Sequence, residues 1–197
     1  LKDELKKLLD LYNQGNLENA VVYGDALIHQ FPNNPAIFHI LGAVNSGLNK
    51  NEEAIRNYRK AIELNPNFPD AHNNLGVLLK DTGDHEGAIQ SYHTAIKLNS
   101  SYAEAYNNLG DILKNIGRDR QALSIVRKTI QLQPDLITSY INLGTVLKKL
   151  GKHEEAISTY NRALKIDPIN SALNNDLANT FKDIGQPHNA IENYKKS

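Results

Sequence analysis

The sequence predicts an all-α protein built from repeated helical hairpins, and three observations carry that reading. The first is a recurrence every 34 residues: His72-Asn73-Asn74-Leu75-Gly76 returns as Tyr106-Asn107-Asn108-Leu109-Gly110 and again as Tyr140-Ile141-Asn142-Leu143-Gly144. A fixed period of this size marks a solenoid of stacked units. The second is small residues in register. Position 20 of each unit is Ala20, Ala54, Ala88, Ala122, Ala156 and Ala190, and position 8 is Gly42, Gly76, Gly110, Gly144 and Ala178. Small positions beside large ones (Leu75, Ile89, Ile96) let two helix backbones approach and interlock. The third is punctuation. Gly15, Gly83, Gly117, Gly151 and Gly185 recur at position 15, with Asn49 in their place once, and Pro32, Pro66, Pro134 and Pro168 recur at position 32. Glycine suits a left-handed residue just past a first helix, Asn is its best substitute, and proline stops a second helix.

This register divides the chain into repeats 1–34, 35–68, 69–102, 103–136 and 137–170, with a partial sixth at 171–197. The whole is read as a single array. Repeat one is the least regular, with Glu4, Leu8 and Gly24 where later repeats place an aromatic, a glycine and a tyrosine. Leu1, Leu5, Leu8, Leu9, Leu11 and Tyr12 still form an apolar helical stripe. Lys2, Asp3, Glu4, Lys6 and Lys7 supply the polar outer face expected of a capping unit. Repeat two opens on Pro35 and carries Leu41-Gly42, and repeats three to five are regular. In repeat four Val126 stands for the aromatic and Thr129 for alanine. Repeat six stops at Ser197, and Leu177, Ile184, Ile191 and Tyr194 are expected to leave apolar surface there. Two expectations follow: the natural protein continues past Ser197, or the chain self-associates through that end.

Composition excludes several function classes. Lys plus Arg and Asp plus Glu are each 22, so formal net charge is zero. That argues against bulk nucleic acid or an anionic membrane as partner. Cysteine is absent, which removes disulfides and thiol chemistry and fits a reducing, cytoplasmic setting. No apolar run approaches a membrane span, and no signal-peptide pattern opens the chain. The chain begins at Leu1 and holds no Met, which reads as a segment cut from a longer protein. No catalytic constellation appears, so no enzyme activity, metal or cofactor is expected. His85 and His153 fall in inter-helix turns two repeats apart, and His72 replaces a packing aromatic.

On these residues the chain resembles the tetratricopeptide repeat (TPR) family. That family's unit carries a large residue at 4, Leu-Gly at 7 and 8, Ala at 20, an aromatic at 24 and Pro at 32. Phe38, His72, Tyr106 and Tyr140 match at 4, and Tyr58, Tyr92, Tyr160 and Tyr194 match at 24. The resemblance implies helix A at about positions 2–14, helix B at about 18–31, a right-handed superhelix and a concave face lined by helix A. It also implies a scaffold rather than a chemistry, because this fold serves many systems.

The expected binding face is that groove. Position 6 reads Asn74, Asn108, Asn142 and then Asp176; position 5 includes Asn73 and Asn107; position 12 reads Lys80, Lys114 and Lys148, with Asp111 among the balancing acids. An Asn amide both donates and accepts, so it can hold the backbone of an extended peptide without reading its side chains. Asn is otherwise a poor residue for a helix interior. The other reading is that these amides tie adjacent helices together. The ladder also resembles the TPR region of O-GlcNAc transferase-like proteins, where the repeats recruit substrates for a separate catalytic domain; Ile40 and Asp176 depart from it. Co-chaperone TPR domains that clamp a terminal carboxylate need cations that His39, Ala43, Glu104 and Asn108 do not supply.

The expected function is a protein- or peptide-binding scaffold. The alternatives are the recruiting region of a larger enzyme, such as a glycosyltransferase, and an assembly module that uses the solenoid ends.

Overall fold

The computed structural model describes residues 1–197, and every regular element in it is a helix. The helices come in pairs, an A helix then a B helix, one pair per repeat. They are α1 (Lys2–Asn13) and α2 (Leu17–Gln30), α3 (Pro35–Gly47) and α4 (Asn51–Leu64), α5 (Pro69–Asp81) and α6 (His85–Leu98). Then follow α7 (Ala103–Asn115) and α8 (Asp119–Leu132), α9 (Ile137–Lys149) and α10 (His153–Ile166), α11 (Ser171–Asp183) and α12 (Pro187–Tyr194).

Each pair is made by the same local chemistry. The residue just past helix A is left-handed in every repeat: φ is 72° at Gly15, 89° at Gly83 and 58° at Asn49, the one non-glycine. The turn is a Schellman motif. In repeat three Gly83 N–H donates to Lys80 O at 3.1 Å and Asp84 N–H to Leu79 O at 2.8 Å. Three helix starts are capped by side chains. Asn34 Oδ1 accepts from Ala36 N–H, Asp84 Oδ1 from Gly87 N–H and Asn170 Oδ1 from Leu173 N–H, each at 3.0 Å. Position 4 ties helix A to the preceding proline turn: the Tyr140 hydroxyl donates to Pro134 O at 2.8 Å, and His72 Nε2 lies 3.1 Å from Pro66 O.

The pairs close through position 8 against position 24. A Cβ added at Gly42, Gly76 or Gly144 would lie 2.6, 2.7 or 2.3 Å from a ring atom of Tyr58, Tyr92 or Tyr160. Glycine is required there because the ring occupies the space of a side chain. Repeat four keeps the relationship with Val126, whose Cγ2 would sit 2.7 Å from a Cβ at Gly110. Repeat one inverts it. Leu8 is wholly buried, and Gly24 makes room for Leu41 of the next repeat, whose Cδ2 would lie 2.5 Å from an added Cβ. The alanines at position 20 are all buried, and the buried Thr129 satisfies its hydroxyl on Ile125 O at 3.2 Å.

The chain forms two compact units, Leu1–Ser100 and Ser101–Ser197. In the first, α1, α3 and α5 pack in succession, α2 and α4 each pack between two A helices, and α6 packs on α5. Its core runs from Leu8, Ala20 and Leu27 through Ile37, Leu41 and Val44, with a second cluster of Phe38, Ala61 and Ala71. In the second, α7, α9 and α11 form the corresponding inner layer around Val126, Tyr140, Leu147, Tyr160 and Leu173. In both units the backbones of successive A helices approach one another more closely than those of successive B helices. The A helices therefore line the tighter side of each unit.

One sequence expectation is corrected at repeat six. Leu177 is not an exposed apolar residue: it packs with Leu173 in the core of the second unit and is 2% exposed. Ile191 and Tyr194 are exposed, and Tyr194 directs its hydroxyl to Asn179 Oδ1 at 2.7 Å.

Candidate functional site

The A-helix side of each unit carries the polar residues that the sequence singled out. They come in two rows one helical step apart, at positions 5 and 6, and a third row at position 12. Position 12 lies about 120° around the helix from position 6, and the two rows turn opposite ways: Lys114 at position 12 reaches toward the following repeat, while Asn74 and Asn142 at position 6 reach back to the preceding one.

In the first unit the central contact joins α3 to α5. Asn74 Nδ2 lies 3.0 Å from His39 Nε2. The His39 ring packs at 4.7 Å from Phe68 and 5.8 Å from Tyr58, measured between ring centres. Burial in this aromatic setting holds the imidazole below its ordinary pKa, against the opposing charge of Asp70. The neutral ring can therefore accept from the Asn74 amide. Burial also raises the Tyr58 hydroxyl well above the usual phenol range, and a hydrogen bond with Asn74 opposes that rise. Lys80 lies 3.9 Å from Asp81 at the end of α5.

In the second unit the central contact joins α7 to α9. Lys114 Nζ donates to Asp111 Oδ1 at 2.9 Å and to Asn142 Oδ1 at 2.5 Å. Asp111 is also held by Asn115 Nδ2 at 3.3 Å. Along the next step Lys148 pairs with Asp183 at 3.3 Å. Lys148 also acts on Asp176, whose carboxyl is pushed above the usual Asp range mainly by burial, with the Lys148 charge pulling the other way. Tyr160 sits behind this row with its hydroxyl pushed up to about 12 by burial. The arrangement is a set of rungs: a position-12 lysine reaches across to a polar residue on the following A helix.

The residues singled out from sequence are thus not equivalent. Asn74, Asn107 and Asn108 are half-buried, with surface open to a ligand, and so are Lys80, Lys114, Lys148 and Asp111. Asn142 is 8% exposed, so a ligand meets only the edge of its amide. Asn73 departs from the expected groove position. It is wholly buried, with Nδ2 turned to Asn74 Oδ1 at 3.5 Å, whereas Asn107 at the same position of the next repeat is half-buried. Sequence reading missed His39 as the partner of Asn74. The signal was present, since His39 occupies position 5 exactly one repeat before Asn73, but the cross-repeat pairing needs three dimensions. No group of three or more His, Asp or Glu side chains is placed to hold a metal ion, and no helix is long and apolar enough to cross a membrane.

Family models of repeats match most of the central chain. One, described as "TPR repeat", matches residues 47–83 and 78–117, and a second, described as "Tetratricopeptide repeat", matches 101–169. Among solved structures, the chain is similar to MamA, at 26% identity and a TM-score of 0.76, over 79% of this chain and 91% of that one. It is similar in fold to YrrB, described as a TPR protein with an unusual peptide-binding site, at 18% identity and a TM-score of 0.78, over 88% and 89% of the two chains. It is likewise similar in fold to PilF of Pseudomonas aeruginosa, at 19% identity and a TM-score of 0.83, over 98% and 87%. No curated protein matches the chain in sequence.

Proposed function

We propose that this chain, which belongs to the tetratricopeptide repeat family, binds an extended segment of a partner protein along the A-helix side of its repeats. Lys114 and Asn142 carry the reading. The ammonium group takes the amide oxygen at 2.5 Å, which leaves Asn142 Nδ2 as a donor of fixed direction. A peptide carbonyl is the natural acceptor for such a donor. Asn107 and Asn108 on the neighbouring helix provide both donor and acceptor groups on half-buried amides.

Charge alternates along this face, with Lys114 beside Asp111 and Lys148 beside Asp183. A surface balanced in this way has no strong preference for an acidic or a basic ligand, and backbone hydrogen bonding then dominates. A peptide-binding site is described for YrrB, whose fold is similar, and this supports the same class of partner here. The array holds the partner and performs no chemistry on it.

Calorimetry on a peptide selected from an unbiased library tests the reading. Asn108→Ala is expected to weaken binding by about 0.5–1.5 kcal/mol, the net worth of one hydrogen bond. Unchanged affinity in a folded variant would count against it.

A further inference from the structure

The opposite, B-helix side of the second unit holds a cleft of about 540 Å³ between α8 and α10, with α9 as its floor. Leu143 and Leu147 form the floor and Ile130 one wall, while Arg127 and Arg162 stand at the rim. None of these residues takes part in the rungs described above.

The charges at the rim do not balance. Glu155 is the one acidic residue lining the cleft, and it already serves two cations, Lys152 at 2.6 Å and Arg127 at 2.9 Å. Arg162 has no carboxylate partner; its guanidinium lies 5.4 Å from the centre of the Tyr140 ring. A planar guanidinium held over an aromatic face keeps its outer N–H edge directed at a ligand and suits bidentate pairing with a carboxylate.

The repeats supply internal comparisons, because clefts occur at the same register in the first unit. Between α4 and α6 the cleft is about 240 Å³; Arg59 keeps the place of Arg127, but Thr94 takes the place of Arg162. Between α2 and α4 it is about 390 Å³; Asp25 takes the place of Arg127 and Asn45 the place of Leu147. Of the three, the α8/α10 cleft alone joins an apolar floor to two arginines.

We infer that the α8/α10 cleft is a second docking site, distinct from the A-helix groove, for an acidic segment of a partner protein. An aliphatic side chain of that segment lodges over Leu143 and Leu147, and a neighbouring carboxylate pairs with Arg162 and Arg127. Glu155 competes with the ligand for Arg127 and so sets the strength of binding.

The test titrates the ¹⁵N-labelled full chain with two capped octapeptides, one alternating Leu and Asp and the other alternating Leu and Asn. The Leu–Asp peptide is expected to shift amide signals of α8 and α10, and the Leu–Asn peptide to bind far more weakly. Arg162→Gln should weaken the Leu–Asp peptide about tenfold, as expected for loss of a charge-assisted hydrogen bond. Glu155→Gln should tighten it about threefold by releasing Arg127. Both positions are on the surface, so folding is preserved, and the gain from Glu155→Gln cannot come from damage. Asn142→Ala should leave this binding unchanged, which separates it from any failure of the groove reading. Equal binding of the two peptides, shifts confined to the open faces of α7, α9 and α11, or no tightening in Glu155→Gln would each overturn the proposal.

Discussion

Lys114 and Asn142 stand 28 residues apart in sequence and meet at 2.5 Å between Nζ and Oδ1. The contact joins position 12 of one A helix to position 6 of the next, and Asp111 also accepts from the ammonium at 2.9 Å. One interaction thus couples repeat stacking to the orientation of a groove amide.

That coupling is measurable by a double-mutant cycle. Lys114→Met and Asn142→Ala, each followed by chemical denaturation, are expected to be non-additive by about 0.5–1.5 kcal/mol. Lys114→Met alone should be destabilising, because it removes the ion pair that Lys114 makes with the partly buried Asp111. Simple additivity would show that the contact carries no energy.

The close approach of position 8 to position 24 gives a second expectation. Gly144→Ala places a methyl group 2.3 Å from Tyr160 Cε1 and should destabilise the chain by about 1–3 kcal/mol. Tyr160→Leu in the same chain should return part of that loss by vacating the space. A Gly144→Ala variant that melts with the wild type would contradict the packing described.

The left-handed residue after helix A gives an ordered series. At Gly83, where φ is 89° and an added Cβ meets nothing within 4 Å, only backbone strain opposes substitution. Gly83→Asn should cost least, Gly83→Ala about 1 kcal/mol, and Gly83→Val more. The native Asn49 at φ 58° already shows that asparagine is accepted at this position of the turn.

Asp176 makes stability depend on pH in a defined direction. Its folded pKa lies above the ordinary value because burial disfavours the carboxylate. The folded state therefore binds more protons than the unfolded state through this group, and its contribution to stability falls as pH rises from about 3.9 through the folded pKa. Asp176→Asn, which restores the amide found in the three preceding repeats, should raise the melting temperature at pH 7 and have less effect at pH 4. A variant less stable than wild type at pH 7 would show that the Lys148 attraction outweighs burial.

Much of this architecture was legible in the sequence because each repeat faces the same packing problem. Alanine at position 20, Leu-Gly pairs and the Gly or Asn after helix A are each the residue that its backbone environment demands, and they recur in register. The departures were harder to read. Leu8 and Gly24 look irregular as a pair until Leu41 of the next repeat is seen to fill the space above Gly24. The candidate site was legible in its residue types but not in their exposure. Asn73 and Asn74 are adjacent and chemically identical, yet a 100° turn of the helix buries the first and leaves the second half-open. The α8/α10 cleft escaped sequence reading because its distinction lies in combining residues from three helices.

The most direct test of the proposed function compares an unbiased peptide library on the wild-type chain and on the Asn74→Ala/Asn108→Ala/Asn142→Ala variant, with both proteins melted in parallel. The account predicts that the wild type retains a set of extended peptides and that the folded variant loses them. Retention of the same peptides by the folded variant would contradict it and assign the amides to repeat stacking alone.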